Sequence, residues 1–246
     1  MNSRFVSHAF IREWLFPAGC VLCGAAPLDP REARYGLCAS CMASLTAAGE
    51  RRCERCGRPL ISERGRCLPC REAEERGEGS LLEAVFAVFP YGGPYRRLLR
   101  AYKFGKAPSL GNFLAEKLRE SLAVFPPGER GLCWVPVPPR PGKIRRTGWD
   151  QVEHLAALLE KPAGKPAASL PLSRCLKRLA SQSQKELKAE QRKVNLRGRI
   201  RCTQKPPRSV LLFDDLITTG STLEACAAAL KEGGAERVYG LTLFYR

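Results

Sequence analysis

Residues 210–222 read VLLFDDLITTGST, and few folds accept such a run. Four consecutive apolar residues without alternation describe a strand buried on both faces, the pattern of a central strand in a parallel sheet. Two carboxylates follow at once. Adjacent acids are costly inside a core, so Asp214 and Asp215 are expected where the strand ends. Thr218, Thr219, Gly220, Ser221 and Thr222 then lead into a helix whose apolar face is Leu223, Cys226, Ala227 and Leu230. A turn of that makeup offers backbone N–H groups and hydroxyls at a helix N-terminus, which suits a phosphate. The acids repel a phosphate and suit a sugar diol, whose hydroxyls donate to them, or a metal ion bridging it. A ribose 5-phosphate carries both features. A capped helix after a strand is the plainer reading, but it explains only one half of the stretch at a time. Neither GxxxxGK[ST] nor a Rossmann glycine fingerprint occurs in the chain.

The sequence from Leu81 onward alternates strand and helix signals. LLEAVFAVFPY is apolar and strand-forming. GPYRRLLRAYKFG carries Tyr95, Leu98, Leu99 and Tyr102 at helical spacing, and SLGNFLAEKLRESLAVF is a second amphipathic helix. CWVPVP reads as a strand running into a basic, proline-bearing loop, PRPGKIRRTG, ahead of the helix WDQVEHLAALLE. Short strands are expected near Ala168–Leu172 and Ile200–Thr203. Beyond Val210–Phe213 follow the helix TLEACAAALKEGG and a last strand, RVYGLTLFY. Such alternation predicts an α/β fold with a largely parallel twisted sheet flanked by helices, its ligand beyond the carboxyl ends of the strands.

The first seventy residues follow another logic. Eight cysteines form four CxxC pairs: Cys20/Cys23, Cys38/Cys41, Cys53/Cys56 and Cys67/Cys70. Each pair places two thiolates on one side of a knuckle, and two knuckles close a tetrahedral Cys₄ zinc site. Pairing neighbours gives two successive ribbons, about two structural zinc ions in all; pairing first with third and second with fourth gives an interleaved, RING-like site. Gly24 and Gly57 directly follow their pairs and suit the tight turn of a knuckle. A disulfide framework fits poorly without a secretory signal. Cys133, Cys175, Cys202 and Cys226 read as small core residues, and His8 and His154 receive no role.

Lys and Arg number 41 against 24 Asp and Glu, a formal charge of +17, so polyanions are the favoured partners. No apolar run is long enough to cross a bilayer, and residues 1–17, punctuated by Arg4, Arg12 and Glu13, read as an amphipathic helix rather than a signal peptide. A cytoplasmic protein, not an integral membrane one, is expected. The expected parts are that helix, a double zinc ribbon at 18–72, a charged linker at 73–80, and an α/β domain at 81–246.

VLLFDDLITTGST resembles, at every position, the phosphoribosyl-pyrophosphate (PRPP) motif of type I phosphoribosyltransferases. The whole chain from Cys20 resembles one branch of them, the ComF/GntX-like competence proteins. The shared features are the zinc ribbon, Tyr102-Lys103-Phe104, Val135–Pro138, Arg146-Thr147-Gly148-Trp149-Asp150-Gln151, and the segment bearing Arg178, Gln184, Leu187, Arg192 and Asn195. Two departures stand out: Thr147 splits the usual Arg-Gly pair, and Trp149-Asp150 replaces Phe-Asn. The resemblance implies that Asp214 and Asp215 hold the ribose hydroxyls and act as the catalytic acids, while residues 218–222 hold the 5-phosphate. It implies a pyrophosphate loop carrying Arg140, Lys143, Arg145 and Arg146, and a mobile loop at 173–197 with Arg178, Gln184, Arg192 and Asn195. Magnesium would arrive with PRPP. The implied biology is competence and DNA uptake, with single-stranded DNA and a DNA-uptake helicase as partners. Exposed aromatics such as Tyr91, Tyr95 and Trp149 would suit strand binding. Two alternatives remain open: a phosphoribosyltransferase of nucleotide metabolism, and a non-catalytic PRPP or nucleotide sensor.

Overall fold

The computed structural model of the chain describes residues 19–26, 28–45, 52–53, 55–57, 60, 62–77, 79–105, 107–124, 131–161, 170–180 and 198–246. The expected N-terminal helix, the first residues of the strand near Ala168, and Gln184, Leu187, Arg192 and Asn195 of the expected mobile loop lie outside them.

Four parallel strands form the main sheet, in the order β1 (Val85–Pro90), β6 (Arg237–Tyr245), β5 (Ser209–Ile217) and β2 (Leu132–Pro136). The long strands β5 and β6 are central and almost wholly apolar, as strands covered on both faces must be. On one face lie α4 (Gly93–Lys103), α5 (Ser109–Glu120) and α7 (Gln151–Leu159), which pack Leu98, Tyr102, Leu114 and Leu155 against Phe89, Trp134, Leu211 and Phe213. On the other lies α8 (Ser221–Glu232), whose Leu223, Cys226 and Leu230 meet Val210, Leu212 and Val238. The result is a three-layer α/β sandwich.

Strand β5 corrects the expected boundary. It runs through both acids to Ile217, because β6 is equally long and pairs Asp214 with Thr242, Leu216 with Phe244 and Ile217 with Tyr245. Backbone pairing is indifferent to side-chain charge; only the carboxylates need partners elsewhere. A second correction falls in the basic loop, where Lys143–Thr147 form a short helix, α6, between Gly142 and Gly148, both at positive φ. A two-stranded antiparallel ribbon, β3 (Leu176–Arg178) with β4 (Ile200–Cys202), flanks the α8 side. Three residues, of which only Leu176 is buried, gave β3 no readable alternation.

Among the described residues, the zinc module shares the core instead of hanging from it. It contains α1 (Pro30–Tyr35), α2 (Ala39–Ser44) and α3 (Leu68–Glu75). Asp29 caps α1 and Glu32 returns the bond, a complete capping box. Cys20, Leu22, Leu37 and Leu45 join the apolar cluster of α5 and α7. Tyr35 donates its hydroxyl to Glu116 on α5 (2.6 Å) and packs edge-on to Phe113. The second knuckle meets the outer edge of β1, where the Arg52 guanidinium donates to the carbonyls of Ala87 and Val88. The opposite edge, β2, is covered by 171–173: Trp134 N donates to Pro171 O and Ser173 N to Trp134 O, each 2.8 Å. Within the expected linker, 73–75 still belong to α3, and Ser80 and Leu81 are bound by Glu224 in the first turn of α8.

At Gly57 the second knuckle lies directly against the backbone of β1. A Cβ there would lie 2.4 Å from Val85 O, and its φ is +71°. Gly57→Ala, where the clash with Val85 O adds to the positive-φ strain, is therefore expected to cost about 2–4 kcal/mol in urea unfolding. Gly24→Ala, at φ +78° but facing open space, should cost only about 1 kcal/mol. Equal losses would show that the second knuckle does not bear on β1.

Candidate functional site

The eight CxxC cysteines gather into two groups, Cys20/Cys23/Cys38/Cys41 and Cys53/Cys56/Cys67/Cys70, with the sulfurs of each group within 4.8 Å of one another. This is the neighbour pairing, and the interleaved alternative falls. Cys23 and Cys38 sulfurs are 3.7 Å apart, and those of Cys56 and Cys67 3.6 Å. A zinc–sulfur bond of about 2.3 Å makes the tetrahedron's edge about 3.8 Å, whereas a disulfide would bring sulfurs to about 2.05 Å. The Gly24 and Gly57 N–H groups close equivalent turns onto Cys20 O and Cys53 O (2.8 and 2.9 Å). Burial works to raise the Cys20 and Cys53 thiols, yet N–H groups aimed at the sulfurs outweigh it and bring them down to about 6 and about 7. All four ligands at each site are thiolates, so both zinc ions are structural.

At the carboxyl end of β5, strand alternation sends the two acids to opposite faces of the sheet. Asp215, on the face of Leu211 and Phe213, is only 4% exposed. Its Oδ2 accepts from Lys103 Nζ at the end of α4 and from Gln151 Nε2 at the start of α7, each at 2.7 Å. Gln151 Oε1 in turn accepts from Lys143 Nζ (2.6 Å), which also donates to Asp150 Oδ2 (2.6 Å). Asp150 Oδ1 caps α7 through the N–H groups of Val152 and Glu153. Three segments far apart in sequence thus close one hydrogen-bonded chain on Asp215.

Asp214 has different surroundings. It lies half-buried on the α8 side, and Asp215 N donates to its Oδ1 (2.8 Å). Burial first, and the charge of Asp215 second, push its carboxyl well above the usual carboxylate range. Arg178 of β3 lies within electrostatic reach of it; burial first, then the neighbouring charge of Arg140, lower the Arg178 guanidinium. The basic loop leaves β2 on the same rim, because Val137 N donates to Phe213 O (3.0 Å). Arg140, Arg145 and Arg146 are exposed there.

The turn 218–222 follows directly. Gly220, at φ +74°, is the N-cap of α8 and supplies no side-chain cap to the N–H groups of the first turn. Thr219 Oγ1 and Ser221 Oγ lie 2.8 Å apart, and Thr218 is exposed. The acids, the turn, Arg140, Lys143 and Arg178 therefore share one rim. Arg145 and Arg146 lie on α6 and face solvent.

Sequence reasoning assigned no site role to Lys103, Gln151 or Asp150. The signal was present in the Tyr-Lys-Phe and Trp-Asp-Gln segments, but nothing in their spacing says that they meet. The departure at Asp150 has a local reason: its carboxylate gives Lys143 a charged partner that an asparagine would not. His154, given no role, lies 2.8 Å through Nδ1 from the Tyr102 hydroxyl, which donates to Gln151 O (3.0 Å). The aromatics expected as open stacking surfaces are packed: Tyr95 stacks on Phe89 at 5.4 Å, and Trp149 lies against His154 at 4.7 Å. No helix among the described residues is long and apolar enough to cross a membrane.

Residues 11–77 match the double zinc ribbon domain family. Two curated relatives, both called Competence protein ComFC, match most of the chain. The Streptococcus pneumoniae protein is 26% identical over 233 residues, covering 91% of this chain and 98% of its own length. The Bacillus subtilis protein is 28% identical over 216 residues, covering 84% and 83%. Over most of its length the chain is similar to these two proteins. Its double zinc ribbon and helix-flanked parallel sheet are the architecture expected from the sequence.

Metal analysis of the chain is expected to return about two zinc per molecule. Cys38→Ala should remove one and leave the second, because the two sets share no ligand; loss of both, or of neither, would refute independent sites.

Proposed function

We propose that the chain binds PRPP at the carboxyl end of β5 and serves competence, in the uptake and cytoplasmic handling of single-stranded DNA. The observation that carries the pocket is the convergence of Lys103, Gln151 and, through Gln151, Lys143 on Asp215, beside a helix N-terminus that no side chain caps. In this reading Asp214 and Asp215 accept the ribose hydroxyls. The first-turn N–H groups of α8, with the hydroxyls of Thr218, Thr219, Ser221 and Thr222, hold the 5-phosphate. Arg140 and Lys143, with Arg178 and with Arg145 and Arg146 at the rim, face the diphosphate and stabilise the charge that builds as its bond to C1 breaks. The competence role draws support from the name the two relatives carry, and the DNA partner from the +17 charge.

Magnesium enters only with the incoming diphosphate. Among the described residues, no group of three His, Cys, Asp or Glu outside the two Cys₄ sets lies close enough to share an ion. A second reading, a PRPP sensor without transfer, is favoured by one observation. Asp215 is held by Lys103 and Gln151, and Asp150 by Lys143 and the α7 N-terminus. Neither is free to take an acceptor's proton.

Asp214→Ala/Asp215→Ala is expected to abolish PRPP binding in calorimetry while both zinc ions stay bound. Unchanged affinity would end the diol assignment. Pyrophosphate release from magnesium-PRPP, assayed with bases, nucleotides and oligonucleotides, separates enzyme from sensor: release only with an acceptor establishes transfer. Binding to single-stranded DNA should weaken steeply with salt, and a salt-independent or absent interaction would remove DNA from the proposal.

A further inference from the structure

We propose that Lys103 is the resident cation of the ribose subsite, a positioning residue that holds Asp215 charged and oriented before any ligand or metal arrives. Lys103 lies at the end of α4, and its Nζ is 2.7 Å from Asp215 Oδ2. The lysine side chain is 29% exposed and that of Asp215 only 6%, so the ammonium reaches from the rim down onto a buried carboxylate. Its neighbour Tyr102 is wholly buried and hydrogen-bonded to Gln151 O, which fixes the backbone from which Lys103 reaches. Phe104, next along, is 72% exposed, so the helix leaves the core at Lys103.

Among the described residues, Arg178 of β3 lies within electrostatic reach of Asp214, with Arg140 beside it, and the remaining groups around the pair come from the helices and β6. Lys103 comes from α4; Gln151 and the capped Asp150 from the start of α7; Lys143 from α6, one step away through Gln151; Tyr102 and His154 from behind; Thr242 from β6, opposite Asp214. Among the described residues, Lys103 is the one cation in direct contact with either acid. Adjacent carboxylates in a partly buried place repel, and a proton, a metal ion or a fixed cation must compensate. Lys103 supplies the third of these. It leaves Asp215 its other oxygen for a ribose hydroxyl and requires no divalent ion at the carboxylates.

The test uses the full, zinc-loaded chain. It has four aspartates, Asp29, Asp150, Asp214 and Asp215, so carboxyl carbon-13 labelling of aspartate gives a countable spectrum. At about pH 7, Lys103→Met is expected to carry one more protonated aspartate than the wild type, and Lys103→Arg none. An identical count in all three chains overturns the proposal. Unaltered zinc content and circular dichroism show that the variants fold. A ligand arm, which rests on the PRPP reading, uses ribose 5-phosphate, which has the diol and the phosphate but no diphosphate. Wild-type affinity should be equal with and without magnesium, and Lys103→Met should weaken it roughly tenfold or more, with Lys103→Arg restoring it. Magnesium-dependent binding overturns the resident-cation role. Absence of ribose 5-phosphate binding, with the carboxyl result intact, supports Lys103 as counter-ion and sinks the PRPP reading instead.

Discussion

A carboxylate buried as deeply as Asp215 is tolerable only if its charge is met where it lies, and that requirement organises the molecule. The partners are the last residue of α4 and the first of α7, so the end of α4 and the start of α7 must meet at the same end of β5. Removing one partner from a buried pair costs about 3–5 kcal/mol, far more than a surface pair contributes. The apolar contacts of α4 and α7 with the sheet set how the helices pack; the Asp215 cluster sets where α4 ends and α7 begins.

The zinc module answers a different need. Its segments hold too few large apolar side chains to fold on burial alone, and thiolate binding supplies the missing free energy. Once folded, it contributes Cys20, Leu22, Leu37 and Leu45 to the common core and Tyr35 to α5. The chain is thus less a string of parts than one body with a metal-fastened corner.

How much of this was legible in the sequence depended on the range of the interaction. The zinc sites were readable because a CxxC knuckle is a local object, and only the choice of partners was open. Strand β6 was readable from Arg237 to Tyr245 because its whole apolar length is buried. The end of β5 was misread, since the acids looked like a terminus while the pairing with β6 continues past them. Lys103 and Gln151 could not be found by spacing, because their meeting with Asp215 is set by the packing of two helices 112 and 64 residues away in sequence. Trp149 and Tyr95 were misjudged for the same reason: an aromatic in a polar stretch looks exposed until its neighbours are known.

The Arg52 guanidinium on the carbonyls of Ala87 and Val88 has one more consequence. A parallel sheet ends in two raw edges, and each is a template for a foreign strand. Here 171–173 lie along β2, while the second knuckle closes β1. The closure at β1 is held by a segment whose own order depends on a metal ion. A chain stripped of that zinc would bare a strand of Val85, Phe86, Val88 and Phe89, so metal depletion would be felt first as a tendency to aggregate.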